Sequence, residues 1–199
     1  MPNSLTKPTT GTGPAIFDLE TNGLLNNATR IHCLSLHWFN DNQSETYNDE
    51  PYTENPKELP MASNYSITTG LGFLEVADIL VGHNIIGFDI PVIKRIYPWF
   101  NPTGIIIDTL ILSRLYHPNL YDIDKRSNWP HMPLQLYGSH SLEAYGYRLN
   151  EYKGNFAKTT DWKNWSQEMQ DYCVQDVTVT TKLCKHFLPY LDGSKWNTR

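Results

Sequence analysis

The chain has 199 residues, of which 40% are hydrophobic and 13% aromatic, so we expect one globular domain rather than a disordered chain. A formal net charge of −5 excludes a broad basic surface for duplex nucleic acid, although acidic metal ligands can carry part of that charge. No apolar signal segment or membrane-spanning run is present in the sequence, so we expect a cytoplasmic protein without a membrane partner.

The first half of the chain predicts four strands, a long loop and a helix. Residues 1–13 are rich in Pro, Thr and Gly and predict a flexible N-terminal tail. Apolar runs bounded by turn residues predict strands at 15–20, 31–38, 45–47 and 79–82. Most of the polar, proline-containing stretch 40–69 is expected to form a surface loop, and a helix is expected over 70–78.

The second half of the chain alternates between helical spacing and one further strand. The β-branched run at 105–107 predicts the fifth strand, with Asp108 as the N-cap of the helix that follows. Helical spacing predicts helices at 86–97, 109–116, 142–145 and 164–188. The proline-containing stretch 117–138 predicts a long loop or insertion, and 191–199 a C-terminal tail.

This order of elements predicts an α/β fold with a mixed five-stranded sheet flanked by helices, in a single domain over 14–190. The three cysteines lie far apart in apolar surroundings and form no C-x-x-C pair, which predicts reduced, buried thiols. They are Cys33, Cys173 and Cys184.

Two carboxylates alternate at the end of the first predicted strand. Residues two apart in a strand point to the same face, so Asp18 and Glu20 are expected side by side. Such a pair repels itself and is costly to desolvate unless a cation lies between the two groups, and oxygen ligands suit Mg²⁺ or Mn²⁺. The alternative is that Asp18 caps the turn and Glu20 points to solvent.

Two further carboxylates have both functional and structural interpretations. Asp89 near the start of a helix can complement the helix dipole, and Asn84 before it can form a turn. On the last helix, a spacing of four places Tyr172 and Asp176 on one face that turns toward the interior. A buried Asp176 requires a cationic partner, either a metal ion or an Arg or Lys side chain.

Together, D-x-E at 18–20, H-N-x-x-x-F-D at 83–89 and Y-x-x-x-D at 172–176 resemble the three motifs of the DEDDy 3′→5′ exonucleases. These enzymes form the DnaQ-like branch of the RNase H-like superfamily. Segments 108–115 and 138–149 are similar to the proofreading exonuclease domain of podovirus-type family A phage DNA polymerases. The resemblance implies an RNase H-like fold, a bacteriophage source and a location in the cytoplasm of the host cell.

The resemblance also implies hydrolysis of the terminal phosphodiester bond with two divalent ions, Mg²⁺ or Mn²⁺. By position in the family motifs, Asp18 would bridge both ions, Glu20 and Asp176 would serve the ion on the nucleophile side, and Asp89 would hold the other. A phenol is too weakly acidic to be the main base near neutral pH, so Tyr172 is expected to orient the attacking water.

Substrate contacts are carried over from the same family positions. Leu24 would wedge against the terminal bases, Phe88 would offer a stacking surface, and Thr21 and Asn84 would hydrogen-bond the last nucleotide. His83 belongs to this substrate-binding set with a structural rather than a catalytic role. Phosphate contact and solvated surface both remain open for the scattered basic residues Arg114, Lys125, Arg126, Arg148 and Lys153.

The sequence therefore predicts a 3′→5′ exodeoxyribonuclease that releases nucleoside monophosphates from single-stranded or frayed DNA, in proofreading or DNA degradation during phage replication. One alternative is an exoribonuclease of the same superfamily. The other is a catalytically silent nucleic-acid-binding module on this fold. The expected partner is a DNA 3′ end. The chain would be either a free-standing phage exonuclease or a proofreading domain whose DNA polymerase is a separate polypeptide or was cut away.

Overall fold

The computed structural model describes residues 13–50, 66–151 and 160–196. Within them, one mixed sheet contains β1 (Ala15–Thr21), β2 (Ile31–Trp38), β3 (Gln43–Tyr47), β4 (Ile79–Gly82) and β5 (Ile105–Asp108). The strand order is β3-β2-β1-β4-β5. β2 runs antiparallel to β1 and β3, whereas β1, β4 and β5 are parallel to one another. The structure thus confirms the α/β fold with a mixed five-stranded sheet.

Helices of the described residues flank this sheet. They are α1 (Ile67–Val76), α2 (Asp89–Ile96), α3 (Thr109–Tyr116), α4 (Leu120–Ser127), α5 (Leu142–Arg148) and α6 (Gln167–Leu191). Four of them begin after a side chain that accepts a hydrogen bond from a backbone N–H of the first turn, namely Ser66, Asp108, Ser141 and Ser166. In the part of the chain described, no helix combines the length and apolar character needed to cross a bilayer.

One face of the sheet packs against α1 and α2. Phe17 and Leu19 of β1 belong to the largest buried hydrophobic cluster, together with Leu71 of α1 and Val92 of α2. Burial of such aliphatic and aromatic side chains contributes most of the favourable free energy of folding. This packing fixes which residues of β1 point to the first face.

The opposite face of the sheet packs against α6. Ile16 of β1 forms a buried cluster with Val177 and Cys184 of this helix. Because successive strand residues point to opposite faces, Asp18 and Glu20 share the face of Ile16 and point toward α6. The long last helix therefore brings its own side chains to the two carboxylates of the first strand.

Residues 117–138 do not form the long loop that the sequence predicted. Leu120 of α4 is buried against the hydrophobic cluster of α5 and α6. Asp124 of α4 is fully buried and forms an ion pair with Arg148 at 2.7 Å. The side chain of Arg148 is therefore buried in an ion pair, and the interpretation of it as solvated surface is wrong.

Several element boundaries differ from the prediction. α1 starts three residues earlier than the expected 70–78, because Ser66 caps it, and it ends at Val76. α2 starts at Asp89, three residues after the expected boundary, and Pro91 lies in its first turn, where its missing N–H costs no hydrogen bond. α6 begins after the Ser166 cap and continues to Leu191, and a 3₁₀ turn over Ser194–Trp196 follows it.

Some predictions fall outside the described residues. The N-terminal tail falls there except for Gly13, and so does the 51–65 part of the predicted surface loop. Lys153 and residues 197–199 also lie outside them. All three cysteines are described, and each is free and buried, as the sequence predicted.

Candidate active site

Asp18 and Glu20 lie beside a buried thiol of α6. The ligand atoms of Asp18, Glu20 and Cys173 all lie within 4.8 Å of one another. The Cys173 thiol donates a hydrogen bond to the backbone oxygen of Asp18 over 3.3 Å, and its sulfur is 3.8 Å from Asp18 Oδ2. Burial, with further contributions from Cys33 and the two carboxylates, raises the pKa of the Cys173 thiol well above its usual value. The thiol is therefore neutral near pH 7.

Asp89 begins α2 and is only 3% exposed. Its carboxylate accepts hydrogen bonds from its own backbone N–H and from that of Leu19 on β1, and both bonds lower its pKa. Burial outweighs them, and the negative charges of Asp108 and Asp176 add to its effect, so that the pKa of Asp89 rises to about 7. The carboxylate of Asp89 on α2 thus lies near enough to Asp176 on α6 for their charges to interact.

Asp108 organises the loop that leads from β4 to Asp89. Its Oδ1 accepts hydrogen bonds from the backbone N–H groups of Asn84 and Leu110, each at 2.9 Å, and its Oδ2 accepts one from Ile86 at 3.1 Å. The Leu110 bond confirms the N-cap prediction for Asp108. The other two bonds connect the end of β5 to the loop that follows β4. They hold Asn84 in the left-handed conformation with φ +67°, which Asn tolerates better than most residues.

His83 is held by hydrogen bonds at the end of β4. The hydroxyl of Thr109 donates to the backbone oxygen of Gly82 over 3.1 Å, and it lies 2.9 Å from Nδ1 of His83. Because a hydroxyl has one hydrogen to donate, Thr109 accepts from an Nδ1–H of His83. This contact fixes the imidazole.

A cleft of about 640 Å³ opens above the carboxylates. Asp18 and Asp176 line it, and Arg114, Ser139 and His140 line it as well. The cleft therefore combines carboxylates that can hold cations with a basic side chain that can contact a phosphate group. Its volume is within the range of small-molecule pockets, which is enough for a nucleotide.

A hydrogen bond to Ser113 orients the imidazole of His140. Ser113 Oγ lies 2.6 Å from His140 Nδ1 and 2.6 Å from the hydroxyl of Tyr145. Burial, and then the charges of Arg148 and Arg114, lower the pKa of His140. The ring is thus neutral near pH 7 and faces the cleft as a hydrogen-bonding group rather than as a cation.

Comparison with known proteins identifies the family. A family model described as the RNase_H superfamily matches residues 15–188. The chain belongs to the RNase H superfamily.

Two relatives of this RNase H superfamily chain are DNA-directed DNA polymerases of bacteriophages. The enzyme of Enterobacteria phage T3 is 30% identical over 204 residues, and that of Escherichia phage T7 is 31% identical over 206 residues. Each alignment covers 87% of this chain but 27% of the polymerase, so the chain spans about a quarter of the length of these relatives. The resemblance to phage polymerases is thereby confirmed.

Solved structures share the RNase H-like fold. Brucella melitensis NrnC with bound Mg²⁺ superposes with a TM-score of 0.55 at 18% identity, covering 90% of this chain and 75% of NrnC. A structure described as the apo form of the nuclease gives a TM-score of 0.53 at 20% identity, covering 94% of this chain and 87% of that one. At these identities the likeness establishes the fold.

The residues expected to contact substrate lie in different environments on this RNase H-like fold. Leu24 is 78% exposed and free to meet a ligand. Thr21 is buried, and its hydroxyl donates to the backbone oxygen of Gly23 over 2.7 Å. Phe88 is half-buried against the main core cluster, whereas the side chain of Asn84 is exposed at the cleft.

Tyr172, which the sequence predicted to orient the attacking water, is half-buried on α6, and its ring lies 6.5 Å from that of Trp162.

The donor set fits the hard divalent cations that the fold family implies. Asp18 and Glu20 lie side by side, Asp18 and Asp176 line one cleft, and the charge of Asp176 acts on Asp89. Carboxylate oxygens are the usual ligands of Mg²⁺ and Mn²⁺. Across the described residues, Asp18, Glu20 and Cys173 form the only group of His, Cys, Asp and Glu side chains close enough to share an ion. Burial, and then the negative charges of Asp108 and Asp176, raise the pKa of Asp89, so a cation beside this carboxylate would be stabilising.

Sequence reasoning gave no role to two residues that the structure places at this site. His140 lies within the segment 138–149 that carries part of the family resemblance, so its position in that segment was an available signal. Cys173 follows Tyr172 directly in the third motif, but the motif itself does not specify the intervening residue. Its proximity to β1 depends on how α6 crosses the sheet.

Proposed function

We propose that this chain is a metal-dependent 3′→5′ exonuclease acting on single-stranded or frayed DNA. The observation that carries the proposal is the convergence of carboxylates from β1, α2 and α6 beside a cleft large enough for a nucleotide. The relationship to phage DNA polymerases favours DNA over RNA as the substrate. It also supports a role in proofreading or in DNA degradation.

The reaction is the hydrolysis of the last phosphodiester bond. A water oxygen forms a bond to phosphorus, the bond from phosphorus to the 3′ oxygen of the preceding nucleotide breaks, and a nucleoside 5′-monophosphate leaves. Two Mg²⁺ or Mn²⁺ ions, when bound, would stabilise the negative charge that develops on the attacking and leaving oxygens. The residues that would hold them are Asp18, Glu20, Asp89 and Asp176.

The remaining residues of the site position the reactants. We assign Tyr172, one helical turn before Asp176, to orient the attacking water through its hydroxyl. Arg114 in the cleft is the candidate for pairing with a substrate phosphate, and the exposed Leu24 is the candidate for packing against the terminal base. Asn84 is placed to hydrogen-bond the terminal nucleotide from the same cleft.

The weak basic character of the chain predicts its preference among DNA structures. With a net charge of −5, the protein lacks the positive surface that binds duplex backbones tightly. A single-stranded or frayed end enters the cleft without the energetic cost of separating base pairs. We therefore propose that blunt duplex is a poor substrate.

The test is digestion of a single-stranded DNA labelled at its 5′ end, followed on a denaturing gel. Stepwise shortening that requires Mg²⁺ or Mn²⁺ and stops with chelator supports the proposal, whereas immediate release of the labelled nucleotide would indicate the opposite polarity. RNA of the same sequence tests the exoribonuclease alternative, and faster digestion of that RNA would favour it. A blunt duplex of the same sequence should be degraded much more slowly.

The catalytically silent alternative requires a separate comparison. Asp18→Ala should lose turnover and still bind the oligonucleotide, because its side chain is assigned to the reaction rather than to the strand. A wild-type protein that binds DNA but releases no nucleotide with either metal would favour a binding module. Association with a separate DNA polymerase polypeptide, in the cytoplasm of a host cell, remains a prediction for co-purification experiments.

A further inference from the structure

The thiol of Cys173 lies beside the carboxylates that we assign to the metal site. Its Sγ is 3.8 Å from Asp18 Oδ2, and the nearest ligand atoms of Asp18, Glu20 and Cys173 lie within 4.8 Å of one another. Donor atoms around one tetrahedral zinc ion lie about 3 to 4 Å apart, given metal–ligand bonds of about 2.0 to 2.3 Å. The sulfur therefore needs only a small shift to share an ion with the Asp18 carboxylate.

The chemistry of this donor set differs from that of carboxylates alone. Mg²⁺ binds oxygen ligands and has little affinity for sulfur, whereas Cd²⁺ and Zn²⁺ bind thiolate sulfur strongly. In addition, Cys33 pairs with Glu20 across β1 and β2, so a second buried sulfur lies on the same side of the site. Two buried thiols, those of Cys33 and Cys173, thus lie beside the carboxylates of Asp18 and Glu20.

From this geometry we infer that Cys173 is a third ligand for thiophilic divalent cations, so that the position formed by Asp18, Glu20 and Cys173 binds Cd²⁺ or Zn²⁺ through sulfur and oxygen together. The inference rests on the proposed function, because it concerns the same carboxylates. When such a cation binds, the S–H bond breaks, a sulfur–metal bond forms and the proton passes to solvent. The hydrogen bond from the thiol to the Asp18 backbone is lost in the same event.

The same residue has a different role when a hard cation is present. With Mg²⁺, the neutral thiol remains a hydrogen-bond donor to the backbone oxygen of Asp18 and helps to fix the end of β1. A thiophilic cation would occupy the position that Mg²⁺ needs and would hold it through the additional sulfur bond. Cd²⁺ is therefore expected to compete with Mg²⁺ through a contact that Mg²⁺ does not make.

The test uses the metal-free full chain, a reducing agent without thiols, and Cd²⁺ as the probe. Wild-type protein should show the ultraviolet charge-transfer band of a cadmium–thiolate bond as Cd²⁺ is added. Cys173→Ser should lose the band and bind Cd²⁺ at least about tenfold more weakly by calorimetry, because loss of even an outer-shell partner of a metal ligand costs about tenfold or more in affinity. Mg²⁺ affinity measured in the same way should differ by less than about twofold, since sulfur is not a Mg²⁺ ligand.

The third cysteine provides the matched control. Cys184 is also buried and free on α6, but it packs with Ile16, Val81 and Val177 away from the carboxylates. Cys184→Ser should keep the band and the wild-type affinity for Cd²⁺. A band that survives in Cys173→Ser, or that disappears in Cys184→Ser, would overturn the inference.

A second variant keeps the test decisive if Cys173→Ser fails to fold. Asp18→Asn retains the thiol and removes one carboxylate, so its Cd²⁺ affinity should fall at least about tenfold if oxygen and sulfur share one ion. An unchanged affinity would contradict the assignment. Because Cd²⁺ binding is measured without nucleic acid, a failure here is distinguishable from a failure of DNA hydrolysis.

Discussion

The carboxylate of Asp89 on α2 accepts a hydrogen bond from the backbone N–H of Leu19 on β1. Leu19 lies between Asp18 and Glu20, so this bond attaches the first turn of α2 to the strand that carries both carboxylates. Burial and the neighbouring negative charges raise the pKa of Asp89 to about 7 despite the bond. Ionised Asp89 thus lowers the free energy of unfolding, by an amount that depends on pH and on bound cations.

This cost predicts a pH dependence of folding. Between the ordinary pKa of 3.8 and the raised value of about 7, folded Asp89 holds a proton that the unfolded chain has released. The free energy of unfolding contributed by this group therefore falls as pH rises through that interval. In chelator, Asp89→Asn should be more stable than wild type at pH 8, by up to about 4 kcal/mol, and the difference should vanish near pH 4.

Urea denaturation of both proteins across pH 4 to 8 measures the effect. Asp122→Asn, an exposed carboxylate on α4, serves as the control and should follow the wild-type curve. Parallel pH profiles for wild type and Asp89→Asn would contradict the assignment of the raised pKa to Asp89.

Asp108 should be important for both stability and activity. Asp108→Ala removes the acceptor of three backbone hydrogen bonds, from Asn84, Ile86 and Leu110, and should destabilise the protein by about 3 kcal/mol. Because the released loop leads directly to Asp89, turnover should also fall. Thermal denaturation and nuclease assays measure the two effects. A variant as stable and active as the matched Asp122→Ala would show that the loop does not need these bonds.

The sequence was sufficient where the signal is local. An apolar run that ends in turn residues predicts β1, and Ser141 before an amphipathic run predicts the start of α5, where its side chain accepts from the backbone N–H of Ala144. The pairing of Asp18 and Glu20 on one face follows from the period of a strand. These features require no knowledge of how distant segments meet.

The sequence was insufficient where distant contacts decide the structure. α4 lies between Pro118 and Pro130, and its short stretch shows no sustained period. It is stabilised by burial of Leu120 against α6 and by the pairing of Asp124 with Arg148 on α5. Cys173 reaches Asp18 across 155 residues of sequence, through a helix crossing that no local pattern encodes.

The buried ion pair of α4 and α5 provides a test of stability independent of the site. Burial alone would raise the pKa of Asp124, but hydrogen bonds from Arg148 and Gly138 lower it overall. Asp124→Asn should destabilise the fold by about 3 to 5 kcal/mol, because the guanidinium of Arg148 is left buried without its counter-charge. Replacing both residues, as in Asp124→Leu with Arg148→Met, should recover much of that loss. Chemical denaturation of the two variants measures both, and a double variant less stable than Asp124→Asn would refute this explanation.

Tyr172 should affect turnover rather than binding. Tyr172→Phe keeps the ring packed near Trp162 and removes only the hydroxyl assigned to orient water. We expect kcat to fall roughly tenfold to a hundredfold, the scale of misplaced reactants, with KM for the oligonucleotide nearly unchanged. Tyr121→Phe, on the exposed surface of α4, should match wild type. A rise in KM with unchanged kcat would instead place Tyr172 in strand binding.

The central claim is that the carboxylates of β1, α2 and α6 hold the metal ions needed for phosphodiester hydrolysis, and two aspartates of α6 test it most directly. Asp176 is buried at the cleft, whereas Asp171 on the same helix is exposed. In single-turnover digestion of single-stranded DNA with Mg²⁺, Asp176→Asn should be slower by roughly a hundredfold or more while retaining DNA binding, whereas Asp171→Asn should match wild type. Equal rates for Asp176→Asn and wild type would contradict the account.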